Sequence, residues 1–291
     1  MQLLSTLLTG LTLGAVYAAF ALALVLIWRA TRIVNFAQAP MAMLSTYVAL
    51  TMIDAGISYW VAFVTALVVG FVSGAVVERL IIRPVEGKDH INAVILTLGL
   101  FIVLHSVAGI IFSQDFRSFP APFGLSGFQV GEINLAITGY GIFTLVAVLV
   151  VMVALLVLFR RTDIGLRMRA SAFNPEVARL LGVPVNRMLT LGWALAALVG
   201  SLSGILIAGG SLVHPSYMDP VVVYGFVAAV IGGLDSPAGA VIGGLATGII
   251  LSLVSGFLGS GLVALTALVI LVLVLLVRPA GLFSSVQERK V

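Results

Sequence analysis

The chain has 291 residues, of which 61% are hydrophobic and only 9% charged, with no cysteine and a formal net charge of +4. Soluble domains are about one-quarter charged, so an ordinary soluble fold is excluded. The lack of cysteine also excludes disulfides and thiolate metal sites. The slight basic excess points to membrane topology rather than to nucleic acid, because of where the basic residues fall.

A helical span needs about 20 apolar residues to cross a bilayer core, so the length allows eight to ten. Barrel strands alternate polar and apolar residues, and these segments do not. The expected fold is therefore an all-α polytopic transmembrane bundle, with some spans broken or re-entrant. The 31 glycines suit close helix approach in lipid. Apolar runs fall at about 3–27, 34–53, 60–82, 91–113, 136–159, 189–212, 218–234, 237–257 and 262–277. The first, "MQLLSTLLTGLTLGAVYAAF", has no positive charge ahead of it and no clear cleavage site, so no removable signal peptide is expected.

Two runs depart from the simple pattern. In "WRATRIVNFAQAPMAM", residues 28–43, the turn is very short and Pro40 is expected to interrupt the second run, since proline lacks the backbone donor a helix interior needs. In "IGGLDSPAGAVIGG", residues 231–244, Asp235 and Pro237 sit among five glycines. That stretch is either a turn between two full spans or the tip of a pair of shorter re-entrant helices. The segment "QDFRSFPAPFGLSGFQVGEINL", residues 114–135, is read as ordered partly by turns.

If consecutive runs cross in alternating directions, 14 of the 15 Lys and Arg residues fall on one side and only Arg117 on the other. The positive-inside rule makes the basic side cytoplasmic. The N-terminus is then expected outside and the C-terminus inside. The loop 160–188 lies inside, and residues 160–187 carry eight of the chain's 26 charges. Within the loop, Asn174 is a good N-cap, Pro175 suits the first helical position, Glu176 suits the helix dipole and Gly182 a C-terminal stop. One short helix is expected over 174–182, with Val177, Leu180 and Leu181 on one face. Alone in water such a helix is marginal. Its apolar side packs either on its own chain or in the groove of a soluble partner.

The loop "GLRMRASAFNPEVARLLGVPVNRM" resembles the cytoplasmic loop of ABC-importer permeases, most of all the branched-chain amino acid permease family. "RIVNFAQAPMAMLSTY", "ERLIIRPVEG" followed by "ILTLGL", "GGLDSPAGAVIGG" and "VRPAGLF" are similar to further segments of that family, in order, from about residue 10 to residue 283. Gln38 and Ala39 stand where the family often has His and then Gly, Pro40 is unusual there, and Asp235 replaces a glycine. The resemblance implies a single transmembrane permease domain over 1–291 and a coupling helix seated in an ATPase subunit. The ATPase-coupling residues would be Asn174, Glu176, Val177, Ala178, Leu180, Leu181 and Gly182. It also implies two ATPase subunits carrying ATP-Mg, a second permease (a copy or a homologue) and a periplasmic solute-binding protein. Branched-chain amino acids would be the substrate, with urea or another small amide or acid as the alternative within the family.

The energy source points the same way. The phosphate loop G-x-x-x-x-G-K-[ST] is missing: Lys88, in "VEGKDH", and Lys290 are the only lysines. No ATP and no other cofactor is expected on this chain. All 11 acidic residues fall in loops or at span ends, which argues against a proton- or sodium-coupled carrier. His105 alone lies inside a span, either as a functional group or as the partner of a neighbouring helix. The translocation path is expected to use Asn35, Gln38, Thr97, His105 and Tyr47, with Tyr17, Ser201 and Ser203 as weaker candidates. Asn35 and Gln38 rank first because they sit three apart beside a helix break. Asp235 is expected to cap or turn its break, making Pro40, Asp235 and Pro237 structural breaks. No metal-ligand spacing, paired carboxylates or Ser–His–Asp set suggests an enzyme. The rival readings are a passive channel and a scaffolding subunit.

Overall fold

The computed structural model of the protein describes residues 2–85, 90–130 and 133–283. Lys88, Arg289 and Lys290, three of the basic residues used above, lie outside them. In chain order the elements are α1 (Gln2–Thr31), α2 (Gln38–Asp54), α3 (Tyr59–Val77), α4 (His90–Phe112), β1 (Arg117–Ser118), β2 (Gly127–Val130), β3 (Ile133–Thr138), α5 (Gly139–Arg161), α6 (Asp163–Phe173), α7 (Pro175–Leu180), α8 (Val185–Ala208), β4 (Leu212–Val213), α9 (Asp219–Gly232), α10 (Pro237–Phe257) and α11 (Val263–Val277). They form two compact units. One holds residues 1–25, 123–145 and 220–291; the other holds 26–122 and 146–219.

Among the described residues, seven helices are long and apolar enough to cross a membrane. Besides these seven, α2 with 17 residues and α9 with 14 are shorter, about 26 and 21 Å at 1.5 Å per residue, in keeping with a bundle in which some spans are broken. The "IGGLDSPAGAVIGG" break therefore joins one short helix to one span-length helix, a mixture of the two arrangements open from the sequence.

In the unit containing residues 26–122, α2, α3 and α8 pack on one another, α4 packs on α2, and α6 packs on α8. Lipid supplies no hydrophobic drive between helices, so close approach has to come from small residues. Accordingly α3 turns Ala62, Ala66, Gly70 and Gly74 inward at four-residue spacing. A Cβ at Gly70 would overlap the Ser201 side chain on α8. The opposite side of α3 exposes Val61, Val64, Val68 and Val72, the face lipid would cover.

In the other unit, Gly10, Gly14 and Ala18 of α1 meet Gly244 and Gly248 of α10 backbone to backbone. The α9–α10 turn passes through Gly233 at φ +92, and Ser236 caps α10 by accepting from the Gly239 N–H at 3.0 Å. The chain after α11 returns to this turn, where the Leu282 N–H donates to the Ile231 carbonyl at 2.9 Å.

Two expectations need correction. Pro40 does not kink a span. It lies in the first turn of α2, where its missing N–H would have had no helical acceptor anyway; the chain is non-helical before Gln38, not at Pro40. The segment 114–135 is also more ordered than turns alone. β1 pairs antiparallel with β4, Arg117 opposite Val213, and β2 pairs antiparallel with β3. β1 and β4 are too short to show any period, while β3 does alternate, with Ile133, Leu135 and Ile137 against Asn134, Ala136 and Thr138, a strand signal that the Pro- and Gly-rich surroundings masked.

Candidate functional site

The basic loop folds into two helices where one was expected. Thr162 starts α6 by accepting from the Gly165 N–H at 3.1 Å. The second, α7, begins and ends as its residues dictate. Asn174 Oδ1 accepts from the N–H groups of Glu176 and Val177, both at 3.1 Å, and Pro175 occupies the first turn. Gly182 ends the helix at φ +79, a left-handed conformation that strains any residue with a side chain.

The burial of α7 divides cleanly. Ala178 is 2% exposed and packs against Val185 and Leu189. It anchors the helix to its own chain, although the resemblance counted it among the coupling residues. Leu180 is 87%, Leu181 77% and Val177 48% exposed. Phe173, at the end of α6, is exposed as well. A short helix with one small inward residue and three large outward ones offers a separate surface a ready apolar ridge.

The polar candidates of the spans are almost fully enclosed. Asn35 and Gln38 are both buried and complete each other. The Asn35 Nδ2 donates to Gln38 Oε1 at 3.1 Å, Asn35 Oδ1 accepts from the Ala37 N–H at 3.0 Å, and Gln38 Nε2 donates to the Ala196 carbonyl at 2.9 Å. Gly200 makes room for this amide, since a Cβ there would overlap Gln38 Nε2. Thr97 is buried and donates to the Val94 carbonyl of its own helix at 3.0 Å. The Tyr47 ring stacks nearly parallel on Phe112, with centroids 4.2 Å apart. Ser203 bonds carbonyls of its own helix, and Tyr17 meets Tyr224 edge to face. Near the start of α9, Tyr217 donates to the Gly204 carbonyl at 3.1 Å. Burial pushes its phenol above the ordinary range, against a smaller opposing effect of its Thr46 hydrogen bond.

His105 has the one carboxylate partner that the sequence order hid. Its Nδ1 lies 3.3 Å from the Phe101 carbonyl, and Nε2 lies 3.2 Å from Asp219 Oδ1. The second contact is an ion-pair distance without hydrogen-bond alignment. His105 sits seven residues before the end of α4, about 10 Å along the axis. The acid at the start of α9 is therefore drawn inward from the end of that span. The structure thus brings Asn35 and Gln38 together, but it pairs His105 with Asp219 and Tyr47 with Phe112.

A second cluster also escaped the sequence reading. Glu78, buried at the end of α3, accepts from Arg83 at 3.1 and 2.8 Å and from Thr190 Oγ1 at 2.7 Å. Among the described residues no group of three His, Asp or Glu side chains could hold a metal ion.

Span-length apolar helices that pack through small residues define a multi-pass membrane protein. The kind of membrane protein follows from comparison. Residues 6–278 match the family described as "Branched-chain amino acid transport system / permease component", and the chain belongs to that family. It is 29% identical over 296 residues to the high-affinity branched-chain amino acid transport system permease protein LivH of Escherichia coli (strain K12), covering 97% of this chain and 96% of that one. It is 27% identical over 302 residues to BraD of Pseudomonas aeruginosa, a permease protein of the same description, covering 99% and 98%. Its fold is similar to a metal-chelate type ABC transporter in an inward-facing conformation, with TM-score 0.50 and 18% identity over 93% of this chain and 85% of that one.

Proposed function

We infer that the chain is the membrane-spanning subunit of an ABC importer that carries branched-chain amino acids inward, driven by two separate ATPase subunits. The observation behind this reading is the apolar ridge of α7: Val177, Leu180 and Leu181 point away from the chain while Ala178 fixes the helix to α8. The curated relatives are themselves named for high-affinity branched-chain amino acid transport. In this reading ATP-Mg binds the ATPase subunits, which seat α7 on the cytoplasmic side. The bundle crosses a bacterial inner membrane with its N-terminus outside and its C-terminus inside, as the clustering of basic residues favours. A second permease, copy or homologue, completes the pathway, and a periplasmic solute-binding protein delivers the substrate.

The path runs past Asn35, Gln38, Thr97, Tyr47 and His105, and Asp219 joins them as the partner of His105. Asn35, Gln38 and Thr97 are hydrogen-bonded to one another or to backbone carbonyls here, Tyr47 is stacked on Phe112, and His105 faces Asp219. Transport then involves exchanging those bonds for bonds to a zwitterion. The test is uptake of labelled leucine, valine, isoleucine and urea by the complete complex in liposomes. Leu181→Asp should abolish ATP-driven uptake and ATPase capture while the chain still inserts in the membrane. Uptake that survives this substitution sinks the docking reading, and uptake of urea alone sinks the substrate.

A further inference from the structure

Glu78 and Arg83 are five residues apart. On an ordinary α-helix that spacing turns them about 140° from one another, because neighbours lie three or four apart. They meet because residues Glu78–Ile82 form a π-helical turn at the end of α3, whose i to i+5 pattern brings the two onto one side. The pair is bidentate, and Glu78 is 1% exposed. The same guanidinium reaches α8 twice: Arg83 Nη2 donates to Thr190 Oγ1 at 2.7 Å and to the Asn186 carbonyl at 3.2 Å. The Thr190 hydroxyl lies 2.7 Å from Glu78 Oε2 and 2.9 Å from the Asn186 carbonyl, with one proton to give. Asn186 is in the first turn of α8, and its Oδ1 accepts from Arg179 of α7 at 3.5 Å. The same end of α8 supplies Val185 and Leu189 to the Ala178 contact.

We propose that Glu78, Arg83, Thr190 and Asn186 are positioning residues for coupling: they carry the displacement of the docked helix α7 through the first turn of α8 into the end of α3. This rests on the docking reading above. A helix displaced at an apolar contact can slide. A bidentate ion pair with directional hydrogen bonds fixes both register and orientation. Separating it would strand a charge in a dry site, so the joint does not absorb the movement. The π turn is the local device that aims the carboxylate at its partner.

A purely structural clamp can be replaced by apolar residues of similar volume, often without loss of stability. That separates the two roles. The complete complex is reconstituted in liposomes, and ATP hydrolysis and amino acid uptake are measured in parallel for E78Q and for E78M/R83M. The expected result is hydrolysis within about twofold of the parent in both, with uptake reduced about tenfold or more and an unaltered melting temperature for E78M/R83M. The ATP consumed per substrate then rises about tenfold. Parental uptake per ATP in E78M/R83M overturns the proposal. If neither variant assembles, T190V decides, because it removes only the bridging hydroxyl: an ATP cost raised about threefold or more supports the linkage, and an unchanged cost overturns it. L181D distinguishes the two readings. An ATPase that still binds and drives L181D overturns docking and linkage together. Loss of binding in L181D with normal coupling in E78M/R83M overturns the linkage alone.

Discussion

If α7 seats an ATPase subunit as proposed, replacing Leu180 and Leu181 together by alanine should detach that subunit without disturbing the permease. Each substitution removes three carbons, at about 0.8 kcal/mol per methylene taken out of water. The two side chains are 87% and 77% exposed in the chain, so nearly all of their area is available to a partner. Losing it costs docking about 4 kcal/mol, a factor of about 1,000 in Kd. Neither leucine contributes burial within its own chain, so thermal unfolding of the isolated subunit should shift by no more than about 0.5 kcal/mol. The assay titrates the purified ATPase subunit onto the permease in nanodiscs, parent and double variant side by side, with a melt of each. A Kd raised less than threefold, in an assembly that still drives uptake, refutes the claim that this ridge is the seat of the motor. A melting temperature that collapses with the binding refutes the division of α7 into an inward and an outward side.

Three further outcomes follow from local geometry. Asn174→Ala removes the acceptor of two N–H groups and should weaken α7 by about 1 kcal/mol, read as amide exchange about fivefold faster over 176–180. Gly200→Ala pushes a methyl group into Gln38 and should cost about 1–3 kcal/mol by displacing its amide from the Ala196 carbonyl; Q38A added to G200A should recover most of the loss in a thermal melt. A double-mutant cycle on H105A and D219A should return a coupling of only about 0.5–1 kcal/mol, because the Asp219 side chain is 45% exposed; a zero coupling would mean the two residues do not act as a pair.

Much of the α7 site was legible because its causes are local. Asn174, Pro175 and Gly182 lie within nine positions of one another, and helix caps are satisfied by the residues beside them. The face assignment was less complete: Val177, Leu180 and Leu181 were grouped correctly, but nothing local said that Ala178 would meet Val185 and Leu189. Neighbouring α6 was missed because its charged sequence "DIGLRMRASAF" has no long apolar stripe, and it is held by packing on α8. Asp219 was placed correctly at a span end, yet its proximity to His105 depends on how far α9 starts inside the end of α4.

The sequence by itself determined that the protein lives in a membrane, where its nine apolar runs lie and which of its ends gather basic charge. These follow from a solvent that demands internal hydrogen bonds along each span and taxes every charge, a demand met one segment at a time. Only the tertiary structure decided which runs are long enough to cross, that Gln38 closes over Gly200, that His105 meets Asp219, and that a π turn delivers Glu78 to Arg83 and Thr190. Each of these joins residues on different helices or depends on a local change of helical pitch. Small residues allow the backbones to approach, but the depth and rotation at which each pair of helices comes to rest are set by the side chains that then touch.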